Sequence, residues 1–320
     1  MIGTRNGSRI GTTDLLMLLT VLFWAVNLSV LKIGLRALTP HAFNAIRLSL
    51  ASVVYLALFA LGRKRFALAK GDGWKAVGLG LLGITGYQLF FIEAISRTNA
   101  SMASVVLATS PIFIALLSTA LGQERIPWAG WVGIAISLGG LLFVFASGNG
   151  GHGLAWGNGA RGAVLLLLAN ACWAAYTVFS KPVLDRNPPF GLAALGTAAG
   201  TLLYLPFAWR EAAAVDLRRI SLAGWGAILY SGLIAIVLCF YIWYDSVRKV
   251  GSSKTGVYGN LTPILAVVFA GFFLGERLSG AEAAGSAVVL LGVYLTRSGY
   301  RFFERRPATE NSVDISGPAS

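Results

Sequence analysis

An arginine inside an apolar stretch is the residue of this chain that most needs a chemical reason. Arg47 stands within NAIRLSLASVVYLALFAL, several residues from the nearest polar break. A guanidinium is charged at any physiological pH and presents five donors in a planar fork, so in such surroundings it reads as a contact for a carboxylate. The competing reading is structural, an arginine that snorkels to the edge of the apolar layer or ties helix ends together. Glu93 and Asp245 are the acids closest to apolar cores, and they stand 152 residues apart. Buried, such a carboxyl could exchange protons near neutral pH. At a boundary, Arg97 would neutralise the first, and Arg248 or Lys249 the second. Lys32 and Lys181 each close an apolar run. They read as anchors at helix C-termini, where a cation is favoured, or as gates that touch a solute at one mouth. Asp14, beside Thr13, reads as a helix N-cap.

Trp24 and Asn27 are three apart and share a helix face, an arrangement that Trp173 and Tyr176 repeat. An aromatic ring beside a polar group can line a cavity for a flat or amphipathic solute, or simply pack between helices. Gln88, Asn170, Tyr258 and Asn260 also lie inside apolar runs and need polar partners there. Pro111 and Pro263 sit in the middle of two such runs. Each deletes a backbone hydrogen bond and bends its helix, which suits two halves that rock against each other. The two cysteines, Cys172 and Cys239, and the two histidines, His41 and His152, are not spaced for a metal site, a disulfide framework or a catalytic triad. No cofactor, metal or catalytic residue is expected.

The medium that must position these residues is lipid. Hydrophobic residues make up 56% of the 320 and charged ones 12%, about half the soluble norm of roughly 25%, and the mean hydropathy is +0.70. That leaves too little polar surface to coat a water-soluble globule. A bilayer core takes about 20 apolar residues per helix, and runs of this kind fall near 14–35, 42–61, 74–95, 100–121, 128–146, 162–180, 190–209, 222–245, 252–274 and 280–297. Residues 1–13 form a short polar segment before an uncleaved first span, since the run that follows is too long for a secretory core and has no small-residue cleavage site. The net charge of +13 raises nucleic acid as a partner, but the basic residues fall in short breaks between runs and form no single patch, which argues against it. With the N-terminus inside, sixteen Lys and Arg face the cytoplasm and eight face the other side, so both termini are placed in the cytoplasm.

The chain also repeats itself. Trp24-Ala25 with Lys32 recurs as Trp173-Ala174 with Lys181, and Pro40 recurs as Pro189, each at a shift of 149. Ser110-Pro111 recurs as Thr262-Pro263, and Glu124-Arg125 as Glu276-Arg277, at a shift of 152. Five spans separate equivalent points. An odd number reverses direction through the membrane, so the two halves are inverted copies, the architecture of many carriers that expose one central site to each side in turn. Arg47 breaks the symmetry, because residues 196–199 carry no basic side chain.

These residues resemble the drug/metabolite transporter superfamily, in its EamA-type ten-span branch. FWAVNLSVLKIGL (23–35), NAIRLSLA (44–51) and SMASVVLATSPIFIALLSTALGQER (101–125) carry the resemblance in the first half. CWAAYTVFSK (172–181) and SSKTGVYGNLTPILAVVFAGFFLGER (252–277) carry it in the second. The resemblance covers about residues 14–297; the GQER of the first half departs slightly from the GER ending that the second half keeps. It implies export of amino acids, other metabolites or drugs, through a cavity lined by the first four helices of each half, with the fifth and tenth packing to the side.

The expected fold is therefore an all-α polytopic membrane protein of ten transmembrane helices in two inverted five-helix repeats. The first repeat covers 14–146 and the second 162–297, joined by a glycine-rich loop at 147–161, with a disordered cytoplasmic tail at 298–320. The expected function is export of an amino acid or related carboxylate across a bacterial inner membrane by alternating access. A cationic-drug exporter is the alternative, and a membrane-embedded enzyme is disfavoured. Trp24, Asn27, Arg47, Gln88, Trp173, Tyr176, Tyr258 and Asn260 are the candidate substrate contacts. Lys32, Lys181, Pro111 and Pro263 are candidates for gating or anchoring, and Glu93 and Asp245 for proton coupling. The protein is expected to act as a monomer or homodimer.

Overall fold

The computed structural model describes residues 11–122, 127–147, 158–259, 261–276 and 279–303, and among these every regular element is helical. The helices are α1 (Thr12–Gly34), α2 (Pro40–Leu61), α3 (Gly73–Arg97), α4 (Ala100–Ala120) and α5 (Trp128–Ser147) in the first half. The second half has α6 (Asn158–Leu184), α7 (Pro189–Ala213), α8 (Leu222–Val250), α9 in two segments (Ser252–Tyr258 and Leu261–Leu274) and α10 (Gly280–Phe303). Seven are long and apolar enough to cross a membrane, and α5, α9 and α10 hold shorter apolar stretches.

Local chemistry sets where they begin and end. Pro40 and Pro189 open α2 and α7, where a missing N–H costs nothing. Asn99 caps α4 by accepting from the Met102 N–H at 2.6 Å, and Ser221 caps α8 by accepting from the Gly224 N–H at 3.1 Å. Asp14 departs from the expected N-cap: α1 starts at Thr12, and Asp14 reaches back one turn to accept from the Gly11 N–H at 2.8 Å. Several helices outrun their apolar cores. α8 continues to Val250 with Lys249 paired to Asp245 across one turn, α6 continues to Leu184 with Lys181 paired to Asp185 just beyond it, and α10 runs to Phe303. Hydropathy ends a span where the lipid ends, whereas the backbone ladder continues into the polar boundary.

Four helices are irregular at mid-span, and they form two symmetric pairs. α4 breaks at Ala108–Thr109, directly before Pro111, and α9 loses its helix after Tyr258, ahead of Pro263. Asn170 of α6 repairs the first break, its Nδ2 donating to the Val106 carbonyl and to Thr109 Oγ1, both at 3.0 Å. α3 and α8 instead widen into π-helical turns at Leu81–Gly86 and Tyr230–Leu238. A π-turn loosens the ladder and leaves carbonyls for side chains: Trp24 Nε1 donates to Ala235 O at 2.9 Å, and Tyr55 Oη to Val237 O at 2.6 Å.

The halves interlock. α2 and α3 pack on α7, α1 on both segments of α9, and α3 on α6, while α5 and α10 pack mainly on each other. Glycines make the closest approaches possible. A Cβ on Gly80 of α3 would stand 2.2 Å from the Gly196 carbonyl of α7, and one on Gly292 of α10 would stand 2.3 Å from the Ser137 N of α5. Gly80→Val should therefore push α3 off α7 and cost about 1–3 kcal/mol, seen as a melting temperature several degrees lower for the purified protein. Gly78→Ala, which meets nothing within 4 Å, should melt as the wild type does. Equal melting of all three would contradict this packing.

Candidate functional site

The four irregular helices surround a cavity of about 120 Å³ at the centre of the fold. A water needs about 10–15 Å³ of such space, so the cavity has room for on the order of ten, the scale of a small metabolite. Ser110 and Pro111 from the break in α4, and Gly259, Thr262 and Pro263 from the break in α9, form part of its wall. Two apolar clusters meet there: Leu28 and Phe91 belong to one, Ile114, Trp173, Ile236, Phe240 and Trp243 to the other, and all seven line the cavity. Broken helices facing each other across a midplane cavity are how carriers of this architecture present polar backbone to a solute.

Among the described residues, Arg47 is the only Lys, Arg, His, Asp or Glu in that wall. It is 1% exposed, and its partners are neutral: Nε donates to Asn44 Oδ1 at 2.8 Å, and Nη2 to Gln88 Oε1 at 2.7 Å. Among the described residues no carboxylate pairs with it. Desolvating an ion costs several kcal/mol, which amide partners offset only in part. Gln88 and Asn44 hold the fork in place and leave its charge uncancelled. The second half does not repeat the pair. At the two shifts, Gly196 stands where Arg47 does and Phe240 where Gln88 does.

Aromatic rings fill much of the remaining wall. Trp173 lies 5.8 Å from Trp24 and 5.2 Å from Trp243, centroid to centroid, and Tyr87 lies 5.3 Å from Trp173. Two polar atoms in this wall are buried without a hydrogen-bond partner among the described residues, Asn27 Oδ1 and Trp243 Nε1.

Of the residues singled out in the sequence, the cavity brings together Trp24, Asn27, Arg47, Gln88, Trp173, Pro111 and Pro263. Tyr176 packs behind it on Trp173 and Tyr244. The Tyr258 hydroxyl donates to Asp14 Oδ1, joining α9 to the start of α1. Asn260 lies outside the described residues. Lys181 pairs with Asp185 and Asp245 with Lys249, both away from the cavity. Lys32 faces a separate open depression with Arg36 and Glu276. Glu93 pairs with Arg97 and lies 3.8 Å from His41 Nε2.

Three features escaped sequence reasoning. Tyr87, Phe240 and Trp243 complete the aromatic wall, and the density of rings in YQLFF (87–91) and FYIWY (240–244) was the available signal. A polar chain also runs from Glu93 through His41 to Tyr204: His41 Nε2 lies 3.8 Å from Glu93 Oε2, and His41 Nδ1 lies 2.9 Å from Tyr204 Oη. The third is a latch between halves at the start of α3. Asp72 accepts from Lys75 Nζ and Arg186 Nη2, each at 2.8 Å, and from Asn187 Nδ2 at 2.7 Å, while Asn187 Oδ1 accepts from the Ala69 N–H at 2.7 Å. No pattern in the sequence pairs residues 72 and 187.

A polytopic helical membrane protein with a solute-sized cavity between two broken-helix halves belongs structurally among the membrane carriers. Comparison with known proteins makes this specific. The model of the EamA-like transporter family matches residues 11–146 and again 160–298; the chain belongs to that family. An uncharacterized transporter of Archaeoglobus fulgidus is 29% identical over 289 residues, 89% of this chain and 96% of that protein. A probable amino-acid metabolite efflux pump of Salmonella typhimurium is 26% identical over 294 residues, 89% of this chain and 95% of the relative. A crystal structure 22% identical in sequence matches with a TM-score of 0.70, covering 93% of this chain and 100% of the other, a likeness of fold.

The latch has a pH signature. Lys75 and Asn187 hydrogen bonds, aided by Arg186, hold the Asp72 carboxyl below its usual pKa of 3.8. A depressed carboxylate pKa adds stability above the ordinary pKa, and that stability disappears as pH falls through the lowered value. Asp72→Asn should therefore lower the melting temperature at pH 7, with the gap from wild type closing as pH falls below about 3.8. A gap that is constant from pH 7 to pH 3 would show that the carboxylate's charge is not what holds the latch.

Proposed function

We propose that this protein is a secondary carrier that exports a small carboxylate metabolite, an amino acid or related acid, across a bacterial inner membrane by alternating access. Arg47 carries the reading. A buried guanidinium in a cavity wall, held by two neutral amides and opposed by no carboxylate among the described residues, is a site that an anion would complete. The name of the Salmonella relative, a probable amino-acid metabolite efflux pump, supports the same substrate range. Family and relatives are named as transporters, which favours carriage over catalysis. A cationic drug would need Glu93 or Asp245 in the cavity wall, and both are engaged elsewhere.

The latch at Asp72 and the bond between Tyr258 and Asp14 tie the halves at the face where α1 begins. At the opposite face, Glu276 of the second half accepts from the Ala100 and Ser101 N–H groups at 3.0 and 2.9 Å, capping α4. Transport requires these ties to loosen in turn. By the distribution of Lys and Arg, the Asp72 face and both termini are cytoplasmic. Any proton coupling is best carried by Glu93, since it lies beside His41, whose Nδ1 meets Tyr204 Oη, while Asp245 pairs with Lys249 one turn away.

Export from loaded proteoliposomes, surveyed over amino acids and other carboxylates, tests the reading. Arg47→Gln should cut carboxylate export about tenfold or more, as removal of a charged hydrogen bond worth about 1.5–3 kcal/mol requires, while leaving the amount of inserted protein unchanged. Glu93→Gln should remove any dependence on a pH gradient, and Asp245→Asn should keep it. Undiminished carboxylate export by Arg47→Gln would sink the assignment of the anion to Arg47.

A further inference from the structure

We propose that the cavity is shaped for an aromatic monocarboxylate and binds it in preference to an α-amino acid. This rests on the carboxylate reading above and narrows it. Charge balance favours a monoanion. Arg47 supplies one positive charge, and among the described residues the cavity wall contains no Asp or Glu. A monoanion neutralises that charge. An α-amino acid neutralises it with its carboxylate and then brings an ammonium that finds no acid. The aromatic wall could attract that ammonium by about 2 kcal/mol when dehydrated, less than the several kcal/mol lost in burying an ion without a counter-ion.

The surface of the wall favours a planar ring. Trp24, Trp173, Trp243, Phe240, Tyr87 and Phe91 all contribute to the wall. Trp173 is in ring contact with four of the other five: with Trp24, Trp243 and Tyr87, and with Phe240 at 5.6 Å. Flat rings set at steep and tilted angles offer both faces and edges to a planar guest, the geometry that aromatic pairs prefer. A short aliphatic acid would satisfy Arg47 and leave this surface unfilled.

The pair of unmatched polar atoms favours a substituted ring. Among the described residues, Asn27 Oδ1 is an acceptor without a donor, and Trp243 Nε1 a donor without an acceptor. Buried groups of this kind cost about 1–3 kcal/mol each while unpaired. A phenol or ring N–H on the guest answers Asn27, and a carboxylate or ring oxygen answers Trp243. Neither demand calls for a charged group, so both agree with a monoanion carrying a substituted ring.

Equilibrium binding to the purified full-length protein tests this, because weak acids leak through bilayers in their neutral form and would confuse a flux assay. Radiolabelled 3-phenylpropionate is the probe, displaced by phenylalanine, which adds the ammonium, or by propionate, which lacks the ring. Displacement by unlabelled 3-phenylpropionate should need at least tenfold lower concentration than by either competitor, and Arg47→Gln should abolish binding of the probe. Phenylalanine or propionate binding as tightly overturns the preference and leaves the carrier reading standing. Probe binding that survives Arg47→Gln overturns its placement in this cavity. Absence of probe binding to the wild type also overturns the proposal; the carrier reading then stands or falls by the proteoliposome survey, a separate readout.

Discussion

A buried positive charge in a membrane protein, with no negative charge to meet it among the described residues, is the constraint on which the account of this structure turns. Lipid cannot solvate Arg47, so the protein must, and it does so with the amides of Asn44 and Gln88. Those two bonds fix where the guanidinium points and leave its charge uncancelled. The neighbouring features enclose that group at the edge of one small cavity, with walls of aromatic rings and of the segments where α4 and α9 break.

The inverted repeat explains how such a cavity can exist. Two prolines 152 residues apart interrupt α4 and α9 at matching depths, and two π-turns widen α3 and α8 in the same relation. Each irregularity exposes backbone that another element must satisfy. Asn170 does so for α4, and Trp24 and Tyr55 do so for α8. The scaffold is thus close to symmetric while the chemistry is not, since Gly196 and Phe240 replace Arg47 and Gln88 in the second half. A symmetric frame can present the same site to either side, and on the proposed function the asymmetric charge is what would set the sign of the solute.

Much of the frame was legible in the sequence because lipid imposes simple rules on it. Runs of about 20 apolar residues marked the helices, and the recurrence of Trp24 as Trp173 and of Pro111 as Pro263 marked the inversion. An arginine in an apolar run is costly enough to stand out, so Arg47 was visible for the same reason. The aromatic wall was only half visible, since rings are common in every span and the sequence does not say which ones face inward. Tyr87, Phe240 and Trp243 emerge only from the packing of α3 and α8 on α1 and α6. The Asp72–Asn187 latch and the chain through His41 and Tyr204 join residues more than a hundred positions apart, and nothing in local pattern or periodicity marks such pairs. For Glu93 and Asp245 the sequence named both a buried and a neutralised setting, and the structure shows each paired one turn away, Glu93 with Arg97 and Asp245 with Lys249.

The central claim is that the charge at position 47, more than the shape of the side chain, is what engages the solute. It can be removed and returned chemically. In a background with Cys172 and Cys239 replaced by serine, Arg47→Cys should be inactive in carboxylate export. Modification with a small methanethiosulfonate that carries an ammonium should restore export, and modification with a neutral reagent of the same size should not. Equal export by the charged and the neutral adducts would contradict the account.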